Sequence, residues 1–295
     1  MSDIRYDLHM HSVYSDGSFT VDELISQARD AGLAGIAVTD HDSLKQLSRV
    51  RAAARKAGFP LLAGLECSTY NPLTGRKVHI LAYGLEATPA GDGPLEKIVD
   101  ETLARRTSNT LWQTWTLMRS GEAARVAPDR PFTLDLVART AGESTAVYKQ
   151  HVMEVLLGTP NADPEHQRIY RSLFKGAGIV NRDIVYPEAI PVVRAIREQG
   201  GHPVLAHPGQ MDSWDLVPDL VHAGLEGIEV HHPDHSAEDV ERARELADRF
   251  GLMHTGGSDF HGKYGKPEAV GCCGIDASEA GERVAALFEA EAALH

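Results

Sequence analysis

Short apolar runs recur along this chain, and most of them end beside a side chain that can bind a metal. Arg5 to His11 closes on His9 and His11, Gly35 to Thr39 leads into Asp40-His41, and Leu61 runs to Glu66. Val78 to Tyr83 carries His79, Pro203 to Ala206 precedes His207, and Met253 to Thr255 precedes Gly257-Ser258-Asp259-Phe260-His261. A further run spans Gly227 to Val230. Such runs, bounded by Gly, Pro, Asp and Ser, read as strands. Between them lie stretches with helical spacing of apolar residues. Val21 to Ala31 has Thr20 as N-cap and Glu23 at capping-box spacing. Leu44 to Lys56 is stopped by Gly58, Pro187 to Gln199 has Pro187 near its first turn, and Val217 to Ala223 and Ala237 to Phe250 complete the set. Alternation of strand and helix predicts an α/β fold with a mainly parallel sheet. Parallel strands bring their C-terminal ends to one mouth, so residues distant in sequence can meet there.

The rhythm changes between residues 86 and 178. Helical patterns at Leu95 to Arg119, Thr133 to Thr140 and Ala146 to Leu157 are not interleaved with β-rich runs. This predicts a barrel domain of residues 1–85 and 179–295 with a helical insertion, 86–178, that packs beside the mouth and forms part of the substrate site. Within the long helix, Trp112 and Trp115 are three apart and are expected to pack in the core, while Arg105 and Arg106 read as surface residues.

Composition narrows the functional classes. The 295 residues suffice for one large α/β domain with an insertion. A formal net charge of −13 at pH 7 argues against a surface for long nucleic acid, which needs clustered Lys and Arg. No apolar run has the length of a membrane span, and no secretory pattern opens the chain, so a cytoplasmic protein without membrane attachment is expected. Cys67, Cys272 and Cys273 make no even disulfide framework and fit a reducing compartment.

The chemistry lies in how the histidines are placed. His9 and His11 are two apart on a strand and share a face, and Asp259 and His261 repeat the spacing. Asp16 follows in a Gly-containing turn, His41 is flanked by Asp40 and Asp42, and Glu66 has two oxygens with which to bridge cations. With His79 and His207 these residues supply six imidazoles and three carboxylates, a set suited to two or three divalent ions of Mn, Zn or Fe. No cysteine stands at ligand spacing, which disfavours a structural zinc site. Clustered divalent ions activate water and neutralise charge on phosphoryl oxygens, so the constellation predicts a metallohydrolase acting on phosphate esters. Lys149, His151, Arg182 and Lys263 are candidates to hold a second phosphate, and His232, in His231-His232-Pro233-Asp234-His235, is a candidate substrate contact at the same mouth. His202 precedes its strand and reads as structural, and Cys272-Cys273 has no acid or base partner in the pattern.

These motifs resemble those of the polymerase and histidinol phosphatase (PHP) family. Asp7-Leu8-His9-Met10-His11-Ser12 with Ser15-Asp16-Gly17 is similar to its first motif, and Thr39-Asp40-His41-Asp42 to its second. Gly64-Leu65-Glu66, Ala206-His207-Pro208 and Gly257-Ser258-Asp259-Phe260-His261-Gly262 resemble later ones. The resemblance implies a distorted barrel of about seven strands in place of the usual eight. It also implies three metal sites: His9, His11, Glu66 and Asp259; Glu66, His79 and His207; and Asp16, His41 and His261. Glu66 is then the bridge and a hydroxide between the first two ions the nucleophile, with Glu66, Asp259 and His207 the implied catalytic residues. The insertion resembles that of the small-molecule branch that includes nucleoside 3',5'-bisphosphate phosphatases. Their Arg-x-His motif aligns with Lys149-Gln150-His151, where Lys keeps the charge but not the bidentate fork. A related class opens five-membered cyclic phosphates of sugar phosphates. The expected function is metal-dependent hydrolysis of phosphate esters of a small nucleotide or sugar phosphate. An exonuclease on short oligonucleotides, a histidinol-phosphate phosphatase and a non-catalytic metal- or nucleotide-binding regulator stay open as alternatives.

Overall fold

Strand and helix alternate much as the apolar pattern predicts in the computed structural model, which describes residues 5–266 and 269–294. In chain order the first part comprises β1 (Arg5–Asp7), α1 (Val21–Asp30), β2 (Gly35–Val38), α2 (Leu47–Ala57), β3 (Leu61–Ala63), β4 (Leu65–Tyr70) and β5 (Lys77–Tyr83). Five helices follow: α3 (Pro94–Arg119), α4 (Glu122–Val126), α5 (Leu134–Ala141), α6 (Lys149–Leu156) and α7 (Pro164–Phe174). The last part holds α8 (Ala189–Glu198), β6 (His202–Ala206), α9 (Pro208–Met211), α10 (Val217–Ala223), β7 (Gly227–His231), α11 (Ala237–Phe250), β8 (Met253–Gly256), β9 (Ile275–Asp276) and α12 (Ala277–Ala293). The Thr20 and Glu23 capping box opens α1, because the two side chains satisfy each other's backbone donors. Pro187 lies outside α8, whose N-cap is Glu188. Among the described residues no helix is long and apolar enough to cross a membrane.

The strands form two sheets, ordered β3-β2-β1-β9 and β4-β5-β6-β7-β8, rather than one closed barrel. They are also mixed, correcting the expectation of a mainly parallel arrangement. β1 with β2, β2 with β3, β6 with β7 and β7 with β8 are parallel, whereas β4 with β5, β5 with β6 and β1 with β9 are antiparallel. The reason is local: only the turn Asn71 to Arg76 joins β4 to β5, and a turn that short permits a hairpin but no parallel crossover. The run Leu61 to Glu66 is likewise two strands. At Gly64 the chain steps from one sheet to the other, and a Cβ there would lie 2.6 Å from the Ala82 carbonyl oxygen. The sheets meet along both flanks through backbone bonds. Leu8 N donates to Gly256 O at 2.9 Å and Asp259 N to His9 O at 2.9 Å, while on the other flank Gly64 N donates to Val38 O at 2.9 Å.

Period-two alternation sorts the side chains. On β4, β5 and β7 the residues Leu65, Cys67, Ile80, Ala82, Ile228 and Val230 join the main apolar core with α1, α2, α8 and α10. Glu66, His79 and Glu229 therefore fall on the opposite face. A smaller apolar cluster including Leu8, Leu62, Leu81, Tyr83, Val204 and Met253 fills the space behind them, and the Tyr83 hydroxyl donates to Leu8 O at 2.7 Å.

The helices between β5 and α8 have an apolar cluster of their own, including Leu117, Val137, Val152, Leu156 and Phe174. Helix α3 differs from expectation: Trp115 is 50% exposed and Trp112 is half-buried, whereas Asn109, Thr110, Gln113 and Thr114 are buried. The amides turn inward because the segment after α7 lacks a ladder. Gln113 Nε2 donates to the buried Val180 O and to Arg182 O, both at 2.9 Å, and supplies partners for carbonyls that have no ladder.

One buried ion pair ties the last helix to the second. Arg51 Nε on α2 lies 2.6 Å from Glu291 Oε1 on α12, and Arg51 Nη2 donates to Leu85 O at 2.6 Å. Removing one partner strands a buried charge, so Arg51→Ala is expected to lower unfolding stability by about 3–5 kcal/mol in a denaturant titration. The double variant Arg51→Met with Glu291→Met is expected to lose distinctly less.

Candidate metal centre

The candidate ligands meet at the strand ends and on the loops that follow them. His9 and His11 lie just past the short ladder of β1 and are fully buried. His207 follows β6 and Asp259 follows β8, and both sit at positive φ, 25° and 50°, as does Asp42 at 53°. Backbone this unfavourable for non-glycine residues persists where the surroundings hold it, and here it turns three loops toward one point. Gly257 allows the closest approach: a Cβ there would stand 2.3 Å from the His9 Cβ. Glu66 is the second residue of β4 rather than the end of a run. His79 sits near the start of β5, reaching the same mouth because β5 runs opposite to β4 and β6.

Donor atoms gather in three groups, each with its atoms within 4.8 Å of one another: His9, His11, Glu66 and Asp259; Glu66, His79 and His207; and His11, Asp16, His41 and His261. The first two sets coincide with those expected, and the third gains His11. Glu66 spans them. Its Oε1 lies 2.6 Å from His79 Nδ1 and 3.0 Å from His207 Nε2, while its Oε2 lies 3.2 Å from His11 Nε2 and 3.2 Å from His41 Nδ1. Asp259 Oδ1 is 3.4 Å from His9 Nε2 and 3.3 Å from His11 Nε2. His261 Nε2 lies 3.5 Å from Asp16 Oδ1.

The donor set fits divalent cations. Asp16 Oδ1, His41 Nδ1, His207 Nδ1 and Asp259 Oδ1 are buried without a hydrogen-bond partner, a costly state for lone pairs that a cation relieves. The electrostatics agree. Burial opposes charge on His11, yet its close contacts with the Asp259 and Glu66 carboxylates push it up to about 10. Burial likewise opposes ionisation of Glu66, and the charges of His79, His41 and His9 hold it well below the ordinary carboxylate range. Such a site demands positive charge, and hard and borderline divalent ions accept this mixture of imidazole and carboxylate.

A second ring of carboxylates holds the ligands in place. Glu229 Oε1 lies 3.1 Å from His9 Nδ1, and its Oε2 accepts from His207 N at 2.8 Å. Asp40 accepts from Ser12 N at 2.8 Å and from Ser15 Oγ at 2.6 Å, and Asp7 accepts from Ser258 N at 2.9 Å and Gly271 N at 2.7 Å. Outer partners of this kind fix ring orientation and ligand basicity. The sequence reading assigned them no role. The signals were a charged residue inside the apolar run Gly227 to Val230, an aspartate two residues before His9 and another directly before His41.

The residues expected to hold substrate separate on inspection. Lys149 lines a cavity together with Lys77, Arg106, Lys175, Tyr186 and the metal-type residues Asp16, His41 and His79. Arg106, expected at the surface, is instead drawn inward: its Nη2 donates to Asp42 Oδ2 at 2.6 Å and to Ser68 Oγ at 2.9 Å, and its guanidinium lies 5.0 Å from the Tyr148 ring. His151 is buried, its Nδ1 accepts from Tyr148 N at 3.1 Å, and burial lowers it to about 4, so it is a neutral helix-start partner rather than a cation for phosphate. Its neighbour Gln150 faces the site, donating to Asp16 Oδ2 at 3.0 Å. Arg182 is not brought to this cavity. Its side chain lies over Trp112, 4.8 Å from the ring, because Asn109 and Gln113 hold its carbonyl against α3. Lys263 pairs with Glu154 at 2.8 Å. His232 is buried on the other side of the ligand cluster, with Nε2 3.5 Å from Asp259 Oδ2, and lines a second cavity with Gln210 and Lys266. His202 pairs with Glu226 at 2.6 Å at the far strand end, as expected of a structural residue.

Comparison with known proteins agrees with this geometry. Residues 7–140 match the PHP domain. A phosphoribosyl 1,2-cyclic phosphate 1,2-diphosphodiesterase of Eggerthella lenta is 44% identical over 265 residues, which cover 90% of this chain and 97% of that relative. A 3',5'-nucleoside bisphosphate phosphatase of Chromobacterium violaceum is 33% identical over 264 residues, 86% of each chain. Among solved structures, one from Bifidobacterium adolescentis described as a candidate metal-dependent phosphoesterase superposes with a TM-score of 0.81 at 27% identity, covering 97% of this chain and 96% of that one. Likeness at this level along nearly the whole of both chains, with a cluster of donors suited to divalent ions, establishes that the chain belongs to the PHP family and is a metal-dependent phosphoesterase acting on small phosphorylated molecules.

Proposed function

We propose that the protein hydrolyses a phosphate ester on a ribose-type sugar that carries a second phosphate. A cyclic phosphate of a sugar phosphate is the preferred substrate class and a nucleoside 3',5'-bisphosphate the alternative. One observation carries this reading: the wall of Lys77, Arg106, Lys149 and Lys175 beside Asp16, His41 and His79. The names of both relatives describe substrates with a second phosphate besides the one attacked. The greater identity to the Eggerthella lenta relative, and Lys in place of Arg at 149, favour the cyclic class. The acidic balance of the chain favours a small substrate over long nucleic acid.

In this reading two or three divalent ions, Mn, Zn or Fe, supply charge that lowers the pKa of water and neutralises phosphoryl oxygens. His9, His11, Glu66 and Asp259 would hold one; Glu66, His79 and His207 would hold another; Asp16, His41 and His261, joined by His11, would hold a third. Lys149 and Lys77 anchor the phosphate that stays, and Arg106 braces the cavity through Asp42 and Ser68. Asp259 is placed to accept a proton at Oδ2, with His232 Nε2 3.5 Å away to share it, while His207 orients the reacting group opposite Glu66. Water oxygen forms the new bond to phosphorus, one ring P–O bond breaks, and the proton passes to the departing sugar oxygen. A second hydrolysis of the monoester releases phosphate. The two sheets are read as the halves of a distorted, open barrel, 1–85 with 179–295, and 86–178 as the inserted unit that completes the substrate site. Its separate apolar cluster supports that division. The compartment is read as the reducing cytoplasm.

A phosphate-release assay with manganese is expected to show faster turnover of a ribose 1,2-cyclic phosphate bearing a 5-phosphate than of a nucleoside 3',5'-bisphosphate. Turnover confined to short oligonucleotides would overturn the reading. Lys149→Met should raise KM by about 10–100-fold for substrates with the second phosphate, the loss of one charge-assisted hydrogen bond, and leave substrates lacking it unaffected. Glu229→Gln, which removes the charge behind His9, should weaken metal binding by roughly 10–100-fold in a chelator competition. Glu66→Ala should weaken it further and abolish turnover, with the circular dichroism spectrum retained.

A further inference from the structure

The cationic cavity contains one carboxylate that belongs to no ligand group, Asp183. It stands on the irregular stretch between α7 and α8, and that stretch is pinned in place. Arg182 O accepts from Gln113 Nε2 at 2.9 Å, Val185 O accepts from Arg105 Nη1 at 2.9 Å, and Pro187 O accepts from Tyr70 N at 3.0 Å. The carboxylate is thereby fixed at the cavity wall. Its Oδ2 accepts from Lys77 Nζ at 2.7 Å and its Oδ1 from the Tyr186 hydroxyl at 2.8 Å, and its side chain keeps 41% of its surface exposed. Although burial raises the Asp183 pKa, Lys149 and Lys77 hold it well below the ordinary carboxylate range, so it is charged at neutral pH.

The charges on this wall can be balanced residue by residue. Arg106 is already matched by Asp42, whose side chain is 1% exposed and 2.6 Å away. Asp16 faces His41 and His261 on the ligand side. Three ammonium groups are left, Lys77, Lys149 and Lys175, against the single carboxylate of Asp183, so the wall presents a surplus of two positive charges. A phosphate monoester carries about −1.5 to −2 at pH 7. Lys77 has three donor positions, of which Asp183 engages one and the Tyr186 hydroxyl, at 3.4 Å, a second, so one is left with which the ammonium can also serve a phosphate.

We infer that Asp183 is a specificity-determining residue: its carboxylate trims the charge of the cationic cavity to that of one phosphate monoester dianion. This inference rests on the proposed reading of the cavity as the seat of the second phosphate. Without the carboxylate a third positive charge is uncompensated, the second phosphate is held too tightly, and the sugar phosphate product leaves slowly. Asp183 acts through the lysines that touch the phosphate.

The test compares two substrates on the full-length, manganese-loaded enzyme, ribose 1,2-cyclic phosphate with and without a 5-phosphate. Asp183→Asn is expected to lower KM for the 5-phosphorylated substrate by about tenfold, as removal of one repelling charge from a partly screened site, and to lower kcat with it as product release slows. KM for the substrate lacking the 5-phosphate should stay within about twofold, because no anion then meets the lysines. Binding of ribose 5-phosphate by Asp183→Asn should also tighten and grow steeper in its salt dependence. Asp183→Ala, which removes the same charge without an amide that can bond to Tyr186, should move KM in the same direction. An unchanged or raised KM for the 5-phosphorylated substrate in both variants overturns the inference and leaves Asp183 as a prop for Lys77. Lys77→Met and Lys149→Met separate the two claims. If they abolish the preference for the 5-phosphate while Asp183→Asn tightens nothing, the inference alone fails. If they leave the preference intact, the cavity is not a phosphate seat and both claims fail.

Discussion

Burying ionisable groups is expensive, and this fold gathers nine of them, six buried and three half-buried, around one carboxylate of their number. Glu66 makes the arrangement possible. One of its oxygens faces His79 and His207 and the other faces His9, His11 and His41, so a single side chain links all three donor groups. The rest of the site is organised around keeping that carboxylate and its imidazoles from moving. Glu229 fixes His9 and the backbone of His207, Asp40 ties the Ser12 to Ser15 turn, and Asp42 connects the centre to Arg106 on α3. None of these outer groups needs to touch substrate to matter. Each removes a direction in which a ligand can swing, and that order is what an ion rewards with affinity.

The candidate ligands were legible in the sequence because their signal is local: His9 with His11 and Asp259 with His261 sit two apart at the ends of apolar runs. The helices were legible for the same reason. Thr20 with Glu23 opens α1, and Ala237 to Phe250 is a helix from end to end. What sequence could not convey depends on partners far along the chain. The direction of β5 is set by a six-residue turn, and the break at Gly64 by the approach of Ala82 from the neighbouring strand. Arg106 reads as a solvated helix residue until Asp42, sixty-four positions away, is found beneath it. Trp115 reads as core by its type, but the face of α3 that turns inward is chosen by carbonyls at 180 and 182 that require amide donors. His151 and Arg182 fit a phosphate-binding role by charge and neighbourhood, and only burial of the first and stacking of the second remove them from it.

In the proposed reading, reaction type and substrate choice are encoded by different parts of the chain. The reaction belongs to strand ends in two sheets, where backbone strain and outer carboxylates leave little freedom. On the same reading substrate choice belongs to α3, α6, the irregular stretch before α8 and Lys77 at the start of β5, where side chains are longer and easier to exchange. A family can keep one and vary the other, since loops on a rigid scaffold tolerate change better than the scaffold does.

The reversed strand β5 has one more consequence. Lys77 and His79 are two apart on it, so both project from the same face, one toward the cationic wall and one into the ligand cluster. The spacing between the two ends of the site is therefore set by a fixed backbone step of roughly 6.6 Å. Ladder bonds to β4 on one side and β6 on the other keep that step from stretching. In the proposed reading the strand is a ruler, setting the distance between the two anionic groups of one small substrate before any chemistry begins.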